Sequence, residues 1–318
     1  MVTFNEQNRS LVTEKDFVLN ESVDRLVSSP SGEASVLAAY SAASNTTVSI
    51  LSLENETPSN VVSFPNTPSH VHSLSWESPD RCMVADVNGV HLYTSDGSVI
   101  ASHNISNCSS ACIVGEHPTV IAATDRSVQL WDIRTEESTS IYMKHVAAVS
   151  SIDANPNRSH VVSTGCQDGR IVLWDLRRIS SHTEPVQIFN AHNHHVNNIQ
   201  FNPLHDELLL SSGTDCSLKV WCCESSSSRA IDQVPSLIEN PRPPLSPLRN
   251  PSIPYRGLAY SDKSAQLLTS KEDRLVSQID RHNDTIHDIC WSHASPWVFA
   301  SVGKDGLVMV NSIPKYLS

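Results

Sequence analysis

A chain of 318 residues has room for one large repeat domain or two ordinary ones. Its 39% hydrophobic and 18% charged residues lie in the globular range, so a substantial core is expected. The formal net charge of -12 excludes broad binding to a phosphate backbone, which requires clustered Lys and Arg.

The chain opens on MVTFNEQNRS, which has no apolar h-region, so no secretory signal is expected. No apolar run approaches the ~18 residues of a membrane span, so direct membrane insertion is not expected. Val36–Tyr40 with Val48–Leu51 is the first strand pair. Val84–Asp86 and Val90–Tyr93 flank Asn88-Gly89, a strong hairpin turn. Ala122–Asp125 leads to Val128–Trp131. From His145 the reading is fuller. Val149–Ile152 is a strand and Asn155-Pro156-Asn157 a turn. Val161–Thr164 is a second strand, Gln167-Asp168-Gly169 a tight turn, Ile171–Trp174 a third strand and Pro185–Phe189 a fourth.

That unit recurs. His145 is followed by Asp168 and Trp174, and His192, at the same distances, by Asp215 and Trp221. His282 is followed by Asp305, with Asn311 in the Trp place. Asp125 and Trp131 keep the Asp-to-Trp step upstream. A fixed period of about 47 residues with four strands per unit predicts an all-β fold, a β-propeller. Six three-strand cores are readable, ending near Leu53, Tyr93, Asp132, Asp175, Cys222 and Ser312. Residues 1–318 are expected to form one propeller domain. Lys15–Leu19 is a candidate outer strand for the last blade, joining the two ends of the chain and covering an exposed sheet edge.

From Cys223 to about residue 274, Ser and Pro dominate and strand periodicity is lost. This segment is expected to be a mobile insertion in the fifth blade, before the outer strand Leu275–Ile279. Gly257–Tyr260 and Gln266–Leu268 are candidate local strands within it. Ser246, followed by Pro247, is a candidate phosphorylation site.

A hydroxyl stands four residues before the Asp in three units: Thr164, Ser211 and Ser301. Indole N–H to hydroxyl, hydroxyl to imidazole and imidazole to carboxylate would satisfy each buried donor. A hydroxyl, His and Asp together superficially suggest a nucleophile triad. Recurrence in several units favours a structural network, since a catalytic site is needed only once, and no enzyme is expected. His192-Asn193-His194-His195 has no Cys or carboxylate at zinc-like spacing, so no metal is expected. No phosphate-cradling glycine motif occurs, and no cofactor is expected. The eight Cys contain no C-x-x-C pair and read as reduced thiols of an intracellular protein. Asn45, Asn104 and Asn107 fit N-x-[ST] and read as chance matches.

Val128–Asp132 and Val172–Asp175 carry a Trp-Asp dipeptide, and with the period they make the chain resemble the WD-repeat family. A narrower likeness lies further on. Val196–Asn202 with His205–Leu208 is similar to a stretch of the EARP- and GARP-complex-interacting WD-repeat proteins. So are His282–Ile286, Asp288–Ser292, Ser295–Ser301, Asp305–Val308 and Ile313-Pro314-Lys315 of the last unit. The resemblance implies a cytoplasmic, non-enzymatic scaffold, peripheral at the trans-Golgi network and endosomes. Its expected partners are subunits of EARP/GARP tethering complexes, with roles in endosomal recycling and dense-core vesicle traffic; the acidic charge, separately, leaves no nucleic-acid partner expected. That family's propeller usually has seven blades. Val2-Thr3-Phe4 resembles the end of its first blade, so the ring is expected either to close with six blades or to lack that first unit.

Two other functions compete. Trp131-Asp132-Ile133-Arg134 and Trp174-Asp175-Leu176-Arg177 fit W-D-x-R, resembling the box by which substrate receptors of cullin ubiquitin ligases dock on an adaptor. Arg134 and Arg177 would make that contact. Phe201-Asn202-Pro203 has a general likeness to receptors for histone tails or peroxisomal targeting peptides, and the acidic charge suits a basic peptide.

Overall fold

In the middle strands the sequence runs nearly continuously apolar or small, as Val161–Cys166 and Leu208–Gly213 do, and every residue of both is buried. Such a run suits a strand covered on both faces. The structure, a computed structural model, supplies those covers by setting sheets face to face. It describes residues 2–5, 10–13, 22–28, 35–42, 45–52, 59–64, 71–78, 80–114, 119–134, 137–141, 143, 145–178, 184–228, 273–292 and 295–313.

Among them the sheets are antiparallel, and helix is confined to two short 3-10 turns, Leu176–Arg178 and Glu224–Ser226. Six successive sheets are the blades of a β-propeller, each with its strands in chain order. Blade 1 is Ser22–Ser28, Ser35–Ala42, Asn45–Ser52 and Ser59–Ser63; blade 2 is Val71–Ser78, Arg81–Asp86, Gly89–Thr94 and Val99–Asn104. Blade 3 is Cys108–Val114, Thr119–Thr124, Ser127–Asp132 and Glu137–Ile141; blade 4 is Val149–Ala154, Val161–Cys166, Arg170–Asp175 and Gln187–Asn190. Blade 5 is Val196–Phe201, Leu208–Gly213, Leu218–Cys222 and Arg274–Ile279. Blade 6 has three described strands, Ile286–Trp291, Val298–Gly303 and Val308–Ser312. Val2–Asn5 and Ser10–Thr13 pair as a separate hairpin. Lys15–Leu19, the candidate closing strand, lies outside the described residues.

The core is divided among the blade junctions. Five apolar clusters lie between successive blades, each drawing side chains from both. Between blades 4 and 5, for example, Ile171, Leu173 and Phe189 meet Val196, Phe201 and Leu209. Burying one such side chain is worth about 1.5–3 kcal/mol.

Polar side chains also tie each blade to the next. Arg25 Nε donates to the His72 carbonyl at 3.1 Å, and the Ser73 hydroxyl donates to the Ala111 carbonyl at 3.1 Å. The Ser109 hydroxyl donates to the Val149 carbonyl at 2.7 Å, and Asn197 Nδ2 to the Ile286 carbonyl at 2.7 Å. Between blades 4 and 5, the Ser151 hydroxyl and the Asp153 carboxylate accept the N–H groups of Ile199 and Phe201 at 3.1 and 2.7 Å. The inner strands surround a central channel of about 350 Å³ to which Arg25, His72, Ser110, Asp153, Asn198 and Asp288 contribute, one from each blade. Arg25 of blade 1 reaches Asp288 of blade 6 at 3.8 Å.

Two boundaries differ from expectation. The outer strand of blade 4 is Gln187–Asn190, not Pro185–Phe189. Pro185 has no N–H to give a ladder, and regular pairing starts beyond it. The insertion starts later than Cys223. The Cys223 N–H donates to the Glu207 carbonyl at 2.6 Å, while the Ser227 hydroxyl and Ser228 N–H donate to the Asp206 carboxylate at 3.0 and 2.8 Å. Across the gap, the Ser225 N–H and hydroxyl donate to the Asp273 carboxylate at 2.9 and 2.6 Å. Both ends of the insertion are therefore held at one place, and Leu218–Cys222 pairs directly with Arg274–Ile279. The candidate strands at 257–260 and 266–268, and Ser246, lie outside the described residues.

Candidate functional site

Blade 5 carries the repeated polar group in full. Trp221 Nε1 donates to the Ser211 hydroxyl at 3.0 Å, and that hydroxyl lies 2.9 Å from His192 Nε2. His192 Nδ1 lies 3.0 Å from Asp215 Oδ1. A carboxylate has no proton to give, so Nδ1 carries the hydrogen between them. Burial opposes ionisation of Asp215. The His192 ring, the Ser217 hydroxyl and the Asn193 N–H outweigh it and hold the carboxyl below its ordinary range. Every polar atom of this chain of bonds has a partner, which is what a buried network requires.

Blade 6 repeats the inner part. His282 Nε2 lies 2.9 Å from the Ser301 hydroxyl, and Nδ1 lies 3.1 Å from Asp305 Oδ2. The N–H of Asn283 is the first of the groups that keep the Asp305 carboxyl low, with those of Leu307 and His282 adding to it. Asn311 stands where blade 5 has Trp221. It is buried, and its Nδ2 has no hydrogen-bond partner.

Blade 4 departs from the expected wiring. Trp174 Nε1 donates to the Thr164 hydroxyl at 3.0 Å, and Thr164 lies 2.9 Å from His145 Nε2. His145 Nδ1, however, turns to the Met143 carbonyl at 3.1 Å, not to Asp168. Burial pushes the imidazole pKa down, against the Met143 carbonyl. Asp168 is exposed, accepts the Arg170 N–H at 3.2 Å, and has Arg170 Nε at 3.7 Å.

One residue at the meeting point of the pair distinguishes the blades. Two places before the aspartate, blades 5 and 6 have Gly213 and Gly303. A Cβ on Gly213 would stand 2.5 Å from His192 Nδ1 and 2.6 Å from Asp215 Oδ1; on Gly303 it would stand 2.5 Å from both His282 Nδ1 and Asp305 Oδ1. Blade 4 has Cys166 at this place, a buried thiol that lines the same small cavity as His145 and Asp168. By the measure of Gly213 and Gly303, a side chain at this place competes for the space in which an imidazole and a carboxylate meet.

Asp125 and Trp131 form no such group. Asp125 sits in a left-handed turn with φ +48°, and Trp131 stacks on His103 at 5.2 Å. Blade 2 has a pair that the fixed spacing does not reveal. His91 Nε2 lies 3.1 Å from Oδ2 of the buried Asp86, outside hydrogen-bond geometry, while Asp86 Oδ1 takes the N–H groups of Asn88 and Gly89 at 2.5 and 3.0 Å. Its signal in the sequence is the Asp-x-Asn-Gly turn alone.

The two W-D-x-R arginines fold back on their own aspartates. Arg134 Nε and Nη2 lie 3.2 and 3.0 Å from the Asp132 carboxylate, and Arg177 Nε and Nη2 lie 3.0 and 2.7 Å from that of Asp175. The fork holds the Asp175 carboxyl down at about 2. Both arginine side chains remain more than half exposed. Among the described residues, no three His, Cys, Asp or Glu side chains gather as metal ligands, and no helix is long and apolar enough to cross a membrane.

Residues 1–221 match the family model described as EIPR1 beta-propeller, and residues 273–310 match the WD domain, G-beta repeat. The chain is 31% identical over 185 residues to "EARP-interacting protein 1" of Caenorhabditis elegans, covering 58% of this chain and 44% of that protein. It is 28% identical over 199 residues to "EARP and GARP complex-interacting protein 1" of Homo sapiens, covering 62% and 47%. It is 30% identical over 200 residues to "WD repeat-containing protein DWA2" of Arabidopsis thaliana, covering 63% and 47%. The chain thus spans about half the length of these curated relatives.

Proposed function

The chain belongs to the EIPR1 beta-propeller family, and from that premise we propose that it is a non-enzymatic scaffold that binds subunits of EARP and GARP tethering complexes. The observation that carries this reading is the family match over residues 1–221, together with the interaction stated in the names of the worm and human relatives. The physics supports it. In blades 5 and 6 the hydroxyl, His and Asp are committed to one another within their own repeat unit, and no similar constellation stands apart from the repeat among the described residues. Function then falls to blade rims and loops, where a rigid disc presents surface. The finer reading follows from such partners: a cytoplasmic protein, peripheral at the trans-Golgi network and endosomes, serving endosomal recycling and dense-core vesicle traffic. Affinity capture of the full chain from cells tests it. Co-purification of tethering-complex subunits is expected, and their absence would overturn the proposal.

A second reading, a substrate receptor of a cullin ubiquitin ligase, is favoured by the exposed faces of Arg134 and Arg177. Replacing both with alanine should then abolish adaptor binding, and unchanged binding would dispose of it.

A further inference from the structure

Blade 4 differs from blades 5 and 6 at the mouth of its polar group, and the difference coincides with exposed apolar surface. A cavity of about 50 Å³ opens there, floored by His145, Cys166 and Trp174. At its rim stand Val146 and Ile188, 69% and 47% exposed, and Val186, 39% exposed, lies next to the rim residue Pro185. Such side chains are ordinary when single, but grouped around a recess they mark an interaction site. Asp168 lies on the same rim. In blade 5 the matching carboxylate is consumed by an imidazole and the N–H of Asn193. Asp168 keeps only the Arg170 N–H and a 3.7 Å approach from the Arg170 side chain.

We propose that this recess of blade 4 docks an extended segment of a protein partner, which inserts a small branched aliphatic side chain beside Trp174 and sets an adjacent lysine or arginine on Asp168. The cavity has room for a valine-sized group. Asp168, which the Arg170 side chain on the same recess approaches only to 3.7 Å, gives the charge complement, and the net charge of -12 favours approach of a cationic segment. The proposal names the surface at which the scaffold above would engage a partner, and so rests on that reading.

The test uses the full chain and fluorescent hexapeptides with a central Val-Lys, Val-Arg, Val-Gln or Gly-Lys pair, read by anisotropy. Val-Lys and Val-Arg peptides should bind best, and Ile188→Glu and Val146→Glu, at exposed positions, should each weaken them about tenfold or more. Asp168→Asn should remove the preference for Val-Lys over Val-Gln. Cys166→Gly should do the same by letting His145 capture Asp168, visible as a changed titration of the His145 ring. Thermal unfolding run alongside identifies any variant that fails to fold. No peptide binding, or binding unchanged in folded Ile188→Glu and Val146→Glu, overturns the proposal. Capturing tethering subunits with the wild type and with Ile188→Glu separates the two claims. Equal recovery by both sinks the docking site alone. Recovery by neither sinks the scaffold reading, while the peptides still decide the site.

Discussion

Blades 4 and 5 each carry a His, a hydroxyl, an Asp and a Trp at the same spacing, yet they are wired differently. In blade 5, Gly213 leaves room for His192 to reach Asp215. In blade 4, Cys166 fills that room, His145 turns to the Met143 carbonyl, and Asp168 faces outward. A motif fixes which groups are near each other. The small residue between them decides whether they bond, and with that whether a carboxylate supports the fold or remains available at the surface.

The largest test of this contrast removes the part both blades share. Trp221→Ala should cost about 3–5 kcal/mol in denaturant unfolding, because it deletes a buried ring and leaves the Ser211 hydroxyl without its indole donor. Gly213→Cys transplants the wedge of blade 4 into blade 5. A loss of about 1–3 kcal/mol is expected, as for other overpacked sites, and an unchanged midpoint would refute the steric explanation. Ser211→Ala leaves the Trp221 N–H and His192 Nε2 buried without a partner, at about 1–2 kcal/mol. In blade 6 the sign reverses. Asn311→Leu removes a buried Nδ2 with no partner and should stabilise by about 1 kcal/mol.

The smallest effect is a pH slope. Asp215 has a folded-state pKa below its unfolded value of about 3.9, so its contribution is fully present above that value. It is lost as pH falls further, through the folded pKa. Asp215→Asn should therefore flatten the acid limb of the stability profile below about pH 4, and a profile parallel to wild type would contradict the network.

Much of the fold was legible because its period is printed in the chain. The His-to-Asp step located blades 4 to 6, the Asp-to-Trp step added blade 3, and apolar runs flanking turns located the first two. Asn88-Gly89 and Gln167-Asp168-Gly169 announced their hairpins, the latter with Gly169 at φ +84°. What the sequence concealed was three-dimensional. Spacing could not tell that Cys166 separates His145 from Asp168, because the conflict arises from a Cβ pointing between two side chains from distant turns. Nor could composition tell that Ser225, Ser227 and Ser228, which read as the start of a polar insertion, satisfy the carboxylates of Asp206 and Asp273. The pairing of His91 with Asp86 runs across a hairpin within one blade, outside the period, and left no trace in it.

The separation of scaffold from binding surface is tested most directly by quantitative capture of tethering-complex subunits with wild type and Asp215→Asn, at a temperature where both are folded. Equal recovery per folded molecule is predicted, with only the unfolding midpoint lowered. Loss of capture by a fully folded Asp215→Asn would contradict it, and would move the repeated polar group from the frame of the propeller into its working surface.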